Sequence, residues 1–264
     1  MQIDLSGRTA LITGSTAGIG YSAGLALAAA GAEVVLNGRG DERVAAAVAS
    51  LGAAVGDPGR VRGVAADVGT PEGCRAIIGA VPDVDVLVNN AGVFSPIPFA
   101  EIDDAEWERT LAVNLMSGVR LTRHHLPRMI ARGWGRVLFI SSESAVQIPP
   151  EMVHYGVTKT AQVALARGAA EAAAGTGVTV NSVLPGPTMS EGLETFLTEV
   201  GVEGGDIEAA GRDFIARDRP TSLLGRPART EEVAAMVVYL ASEQASATTG
   251  AALRVDGGVA RSIF

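Results

Sequence analysis

Tyr155 and Lys159 stand one helical turn apart in Tyr155-Gly156-Val157-Thr158-Lys159. Residues i and i+4 share one face of an α-helix. A phenol and an ammonium on one face form an acid–base unit. Near the N-terminus, Thr13-Gly14-Ser15-Thr16-Ala17-Gly18-Ile19-Gly20 follows an apolar run and opens an alanine-rich stretch. Glycine lets the backbone approach a pyrophosphate with no Cβ in the way, and the helix that follows points free N–H groups and its positive dipole end at the phosphates. Together the two features predict a bound dinucleotide with a proton moved beside it; neither carries that alone.

The elements that must position these residues follow from apolar patterning. Short apolar runs lie at Thr9–Thr13, Glu33–Leu36, Val61–Ala65, Val84–Asn89, Gly135–Ser141, Val178–Leu184 and Ala251–Asp256. They are mostly continuous rather than alternating, which marks strands covered on both faces. Helical patterns fall between them, at Ile19–Ala30, Glu42–Leu51, Pro71–Ala80, Asp104–Ala131, Val153–Ala174 and Thr230–Ser242. Strand-then-helix alternation predicts an α/β fold: a Rossmann-like, doubly wound sheet of about seven parallel strands with helices on both faces. The 264 residues suit one such domain, 1–264. No strand is expected between Pro187 and Pro227. That acidic, glycine-bearing stretch carries Glu191, Glu194, Glu199, Glu203, Asp206 and Glu208 with Gly201, Gly204, Gly205 and Gly211. At the carboxyl edge of a sheet it is expected to be a lid over 188–226, the alternative being a solvated helical hairpin.

Composition narrows the partners. The formal charge of −8 argues against nucleic acid. A single cysteine, Cys74, excludes an internal disulfide framework and fits a reducing compartment. Met1–Arg8 is polar and runs into the first strand, so no signal peptide is expected, and no apolar run approaches the roughly 18 residues of a membrane span. A cytoplasmic protein with no membrane partner and no metal is expected.

The second strand ends at Leu36-Asn37-Gly38-Arg39. NAD binders usually place a carboxylate here for the ribose hydroxyls. Gly38 removes that carboxylate, and the Arg39 guanidinium can clamp a phosphate through two hydrogen bonds. NADP(H) is therefore expected over NAD(H), unless Arg39 is an ordinary loop charge. After the third strand, Asp67-Val68 offers an acceptor for the adenine amino group or an N-cap ahead of Pro71.

Five ordered motifs resemble the short-chain dehydrogenase/reductase family over nearly the whole chain. They are the Thr13–Gly20 turn, Asn89-Asn90-Ala91-Gly92, Ser142 thirteen residues before Tyr155, the Tyr155–Lys159 unit and Pro185-Gly186. The resemblance implies that Tyr155 is the general acid–base, while Lys159 favours the phenolate and holds the nicotinamide ribose. Ser142 would steady charge on the substrate oxygen, and Asn114 would hold a water linking Lys159 to solvent. Cofactor contacts are implied for Gly14, Thr16, Gly18, Ile19, Gly20, Asn90, Ala91, Gly92, Pro185, Gly186 and Thr188. Thr188 has a second reading, as a cap for the lid. The implied reaction is hydride transfer between nicotinamide and a carbonyl or alcohol.

The stretch 143–154 and Val93-Phe94 would wall the substrate site, offering polar Gln147, apolar Met152 and Phe94, and acidic Glu143 and Glu151. His154 should point away from Tyr155 and pack or face solvent. Ketoacyl carrier-protein reductases are close relatives within the family. Here the end of the catalytic helix is uncharged and the lid is acidic, so a small or moderately apolar ketone or alcohol fits better than an acidic carrier. A homodimer or homotetramer is expected from the resemblance. The competing readings are a dinucleotide-binding sensor or scaffold without turnover, and an epimerase or dehydratase on the same fold.

Overall fold

The computed structural model describes residues 2–199 and 206–263. Its main sheet contains seven parallel strands in the order β3-β2-β1-β4-β5-β6-β9. These are β1 (Thr9–Ile12), β2 (Glu33–Gly38), β3 (Val61–Ala65), β4 (Val86–Asn89), β5 (Gly135–Ile140), β6 (Val178–Pro185) and β9 (Ala252–Val255). The order reverses between β1 and β4, which pair through Ala10–Val86, Leu11–Leu87 and Ile12–Val88. Ligands of doubly wound sheets bind outside the carboxyl ends of the strands at such a switch point.

The continuous apolar runs of the central strands are buried on both sides, as read from the sequence, whereas the edge strands β3 and β9 are partly exposed. Ala10, Ile12, Val34 and Leu36 face one layer, with Leu27 of α1 (Gly18–Ala29), Leu51 of α2 (Asp41–Val55) and Val237 of α9 (Thr230–Ala241). Leu11, Val35, Leu87 and Phe139 face the other, with Ile77 of α3 (Pro71–Ala80), Leu121 and Met129 of α5 (Ser117–Arg132) and Ala166 of α6 (Val153–Ala172). Alternate residues along each central strand enter opposite cores, so both faces are mainly apolar.

Two expectations need correction. The long helix is not continuous. α4 (Asp104–Leu111) passes through a π-helical turn, Ala112–Met116, before α5 begins. The stretch between Pro187 and Pro227 also contains a strand: β7 (Thr188–Met189) pairs in parallel with β8 (Ala228–Arg229). Two residues are too few to show periodicity, so no pattern announced them. Beyond β7 come α7 (Glu191–Glu199) and α8 (Ile207–Asp218). Leu193, Leu197, Phe214 and Ile215 give them a small core of their own. Asp206 caps α8 by accepting from Glu208 and Ala209 N–H groups. Gly201, Glu203, Gly204, Gly205 and the Glu199 side chain lie outside the described residues.

Among the described residues, no helix is long and apolar enough to cross a membrane.

Candidate active site

The glycine-rich turn joins β1 to α1, and its three glycines answer three different needs. Gly14 has φ +60°, and a Cβ there would come within 2.9 Å of Ala91 Cα. Gly18 has φ +57° and opens α1. Gly20 makes room for packing: a Cβ would lie 2.5 Å from Asn90 Nδ2 and 2.7 Å from the Gly14 carbonyl. The N-cap of α1 is Ala17, whose side chain makes no cap, and the first turn holds no acid. The leading N–H groups and dipole are thus left for an anion.

Three polar side chains fasten this turn. Asn90 Nδ2 donates to the Thr13 and Gly14 carbonyls, each at 2.9 Å. Thr13 Oγ1 accepts from the Asn90 and Ala91 N–H groups at 3.0 Å. Asn37 Oδ1 accepts from Gly14 N–H at 3.3 Å, while its Nδ2 donates to the Val64 and Ala66 carbonyls at 3.0 Å. Asn37 and the Thr13 hydroxyl have functions that motif reading missed. Their signal was a polar residue at the end of an otherwise apolar buried run.

A groove of about 880 Å³ runs from this turn along the strand ends. Gly14, Thr16, Gly18, Arg39, Asp67 and Val68 line it, and Asn90, Ala91 and Gly92 form its inner end. Arg43 lines it as well and pairs with Glu191 of α7. Gly38 packs against the floor, where a Cβ would meet Thr16 Cγ2 at 2.6 Å and Val44 Cγ2 at 3.1 Å. Asp67 does not cap α3. It accepts from Gly69 N–H at 2.8 Å, whereas Thr70 caps the helix by accepting from Gly73 N–H at 3.0 Å.

Asn90, Gly92 and Phe94 are shared with a second, smaller cavity of about 220 Å³. Here Ser142, at the end of β5, meets Tyr155 and Lys159 from the first two turns of α6. Ile19, Pro185, Gly186 and Thr188 lie on the same cavity. Thr188 Oγ1 donates to the Gly186 carbonyl at 2.9 Å, and the lid helix takes its hydroxyl contact from Ser190, which accepts from Leu193 N–H at 3.3 Å. The sequence thus brings three separated segments to one point, because all three sit at carboxyl ends of adjacent strands or the helix facing them.

Lys159 is buried and donates from Nζ to the Ile140 carbonyl at 2.8 Å, passing 5.4 Å from the Tyr155 ring centre. Burial pulls its ammonium down to about 7, with the Glu143 carboxylate opposing. Burial and the same carboxylate push the Tyr155 phenol above its ordinary value; the Ser142 hydrogen bond and Arg219 act the other way. The phenol is therefore held protonated within the protein's own field. Burial is the largest cause of that rise and Glu143 the next, while the Lys159 ammonium is turned toward the Ile140 carbonyl.

Glu143 and Arg219 are the unexpected pair. Glu143 is 4% exposed and Arg219 8% exposed, and both line the smaller cavity with Tyr155 and Lys159. Arg219 Nε lies 3.3 Å from Glu143 Oε1, and its Nη1 lies 3.4 Å from Glu151 Oε1. Glu143 Oε2 accepts from Ser142 Oγ at 2.5 Å. Met152 and Phe94 also line the cavity, as expected of that wall, whereas Gln147 points to solvent outside it. Arg219 was not legible as a site residue, since it follows α8, far along the chain from Ser142.

Asn114 occupies the π-helical turn and is fully buried. Its Oδ1 accepts from Val93 N–H at 2.7 Å, and its Nδ2 donates to the Val93 carbonyl at 2.9 Å and to Thr158 Oγ1 at 3.0 Å. The amide thus ties the β4 loop to the helix that carries Tyr155 and Lys159. His154, as expected, turns away from Tyr155. It is buried, 3.4 Å from Glu106 and edge-on to Trp107.

The comparisons with known proteins give the family and agree with the fold. A family model described as Enoyl-(Acyl carrier protein) reductase matches residues 14–260. YvaG, an uncharacterized oxidoreductase of Bacillus subtilis, is 47% identical over 269 residues that cover all of both chains. A D-beta-hydroxybutyrate dehydrogenase of Cupriavidus necator is 33% identical, over 96% of this chain and 98% of its own. Among solved structures, L-sorbose reductase from Gluconobacter frateurii, complexed with NADPH and L-sorbose, superimposes with a TM-score of 0.92. It is 34% identical, and all of both chains is covered.

Proposed function

The chain belongs to the short-chain dehydrogenase/reductase family, and on that premise we propose that it is an NADP(H)-dependent oxidoreductase interconverting a small carbonyl compound and its alcohol. One observation carries this reading. Ser142, Tyr155 and Lys159 converge on a cavity that shares Asn90, Gly92 and Phe94 with the groove beneath the glycine-rich turn.

The groove fits a dinucleotide phosphate. A Cβ at Gly14 would fill its inner end, the first turn of α1 is uncapped, and Gly38 stands where an NAD-selective carboxylate would stand, with Arg39 next to it on the groove. Gly14, Thr16, Gly18, Ile19 and Gly20 would hold the pyrophosphate end and Arg39 the 2′-phosphate. Asp67 and Val68 would meet the adenine. Asn90, Ala91, Gly92, Tyr155, Lys159, Pro185, Gly186 and Thr188 would border the nicotinamide end. When bound, the cofactor supplies the hydride or accepts it.

The protein's own residues handle the proton and the oxygen. Tyr155, held protonated by burial and Glu143, gives its proton to the carbonyl oxygen during reduction and regains one afterwards. Ser142 donates to that oxygen as charge develops. Lys159 sits at a protonation balance near neutrality and can pass charge toward the phenol. Asn114 acts as a positioning residue, fixing the start of α6 against the β4 loop; the water link to solvent would run past its π-helical turn. Residues 188–226 act as the lid, with Arg219 reaching from it into the cavity. The enzyme is proposed to work in the cytoplasm as a homodimer or homotetramer.

The test pairs cofactor titration with turnover. Tyr155→Phe is expected to bind NADPH as the wild type does and to lose about 10²–10⁴ in kcat. Parallel loss of binding and turnover would make Tyr155 structural and overturn the assignment. NADPH binding with no oxidation across a broad carbonyl panel would instead favour a sensor. A carrier-protein reductase is the less favoured enzyme reading: Glu191 stands at the groove mouth, and the cavity is about 220 Å³.

A further inference from the structure

The Ser142 hydroxyl carries one hydrogen, for which Glu143 and the Tyr155 oxygen compete, and the short contact is the one to Glu143. Ser142 Oγ lies 2.5 Å from Glu143 Oε2 and accepts from Ser144 N–H at 3.1 Å. Glu143 is itself fixed, because its other oxygen faces Arg219 Nε at 3.3 Å and the side chain is buried. A carboxylate accepts only. A substrate carbonyl approaching Ser142 therefore competes with Glu143 for a single proton. If the carbonyl wins, a buried carboxylate oxygen loses its donor, and an unpartnered buried acceptor is costly. The competition vanishes when the substrate brings a hydroxyl of its own beside the carbonyl. That hydroxyl donates to Glu143, and the Ser142 proton turns to the carbonyl oxygen.

We propose that Glu143, braced by Arg219, is a specificity-determining residue that selects substrates bearing a hydroxyl on the carbon next to the carbonyl. The substrate class is thus α-hydroxycarbonyl compounds and, in the oxidative direction, vicinal diols. The rest of the cavity accommodates the remainder of such a molecule: Phe94, Met152, Leu193 and Phe214 line it with apolar surface. The same corner rejects a carboxylate at that carbon. Glu151 also faces Arg219, so the one guanidinium already serves two carboxylates. A carboxylate brought to Ser142 would lie directly against the buried Glu143 carboxylate, a like charge.

This inference rests on the oxidoreductase reading, and one matched set separates the two. The purified full-length protein is assayed with NADPH against 1-hydroxy-2-butanone, 3-pentanone and 2-oxobutanoate. These differ only in carrying a hydroxyl, a methyl or a carboxylate oxygen pair beside the same ketone. The hydroxyketone is expected to exceed 3-pentanone in kcat/KM by about tenfold or more, with 2-oxobutanoate poorest, because a site built to bond a hydroxyl rejects the analogue lacking it. In Glu143→Ala the ratio should collapse toward one, with 3-pentanone improving in absolute terms as Ser142 is released. The wild-type ratio needs no variant, so the claim stands open to refutation even if Glu143→Ala leaves Arg219 unpaired and fails to fold. Glu143→Ala/Arg219→Met removes both charges together and should show the same collapse. Equal kcat/KM for hydroxyketone and 3-pentanone in the wild type, or an unchanged ratio in either folded variant, overturns the inference and leaves the oxidoreductase reading intact. No NADPH oxidation with any of the three or with a wider carbonyl panel removes that reading, and this inference with it.

Discussion

Among the described residues two arginines are buried, at opposite ends of the sheet, and they are satisfied in opposite ways. Arg136 begins β5 at the amino end. Its guanidinium donates to the backbone carbonyls of Gly135, Gly177 and Ser242, and its ion-pair partner Glu243 is mostly in solvent. Arg219 lies at the carboxyl end. Its partners include two carboxylates, Glu143 and Glu151, and the first of these faces Ser142. A guanidinium held by neutral carbonyls is fixed for good, since no ligand can offer those carbonyls a better donor. One held by a carboxylate in a cavity leaves that carboxylate able to take a second donor. The amino end is built to stay closed, and the carboxyl end is built to exchange partners.

Substitutions can break or sharpen this contrast. The largest effect is expected from Arg136→Met, which strands the buried Gly135 and Ser242 carbonyls and should cost about 3 kcal/mol or more of stability. Urea melts would show it, while kcat per folded molecule stays as in the wild type. A fall in kcat with no change in the melt would erase the distinction between the two ends.

Next comes His125 of α5, buried with neither ring nitrogen bonded. Burial, aided by His124, depresses its pKa to about 4 from an ordinary value near 6.5. The unfolded chain binds a proton there before the folded one does, so stability present above pH 6.5 is lost as pH falls toward 4. The loss is about 2 kcal/mol between pH 7 and pH 5 and about 3 kcal/mol by pH 4. Comparing urea midpoints of the wild type and His125→Leu at the two ends of this range isolates the effect. Parallel pH profiles would show that this histidine plays no part.

At the carboxyl end, Arg39→Ala should leave the melt unmoved and weaken NADPH relative to NADH by about 1.5 kcal/mol, roughly tenfold. Paired fluorescence titrations read that ratio. An NAD preference already present in the wild type would count against Arg39 as the phosphate clamp. The smallest effect belongs to the exposed Arg43–Glu191 pair, where Glu191→Gln should change stability by less than about 1 kcal/mol. NADPH binding should tighten slightly, because Arg43 is released to the groove. Weaker binding would mean that the pair helps to hold the groove in shape.

Legibility followed the range of the interactions. Tyr155 and Lys159 are four residues apart on one helix, and the glycine-rich turn is one contiguous segment. Residues linked by local spacing were readable as one cluster, and so was a sheet whose central strands are continuous apolar runs. Arg219 meets Glu143 across 76 residues, and Asn37 meets Gly14 across 23. No spacing rule encodes such contacts, so Glu143 was visible only as one acidic wall residue among several. Asn114 stood out as a polar residue in an apolar helix, but the π-helical turn that aims its amide at Val93 and Thr158 left no mark in the pattern. β7 and β8 pair two residues with two, which is below any readable period.

The close packing at Gly38 bears on how coenzyme choice could ever be changed. Any side chain introduced there pushes its first carbon into the methyl of Thr16, a residue on the groove wall. Exchanging one coenzyme for the other by a single Gly38→Asp replacement would therefore disturb the wall at the moment it added the new acceptor. Redesign has to alter positions 16 and 38 in one step, and a lineage drifting by solitary substitutions meets a barrier at that corner.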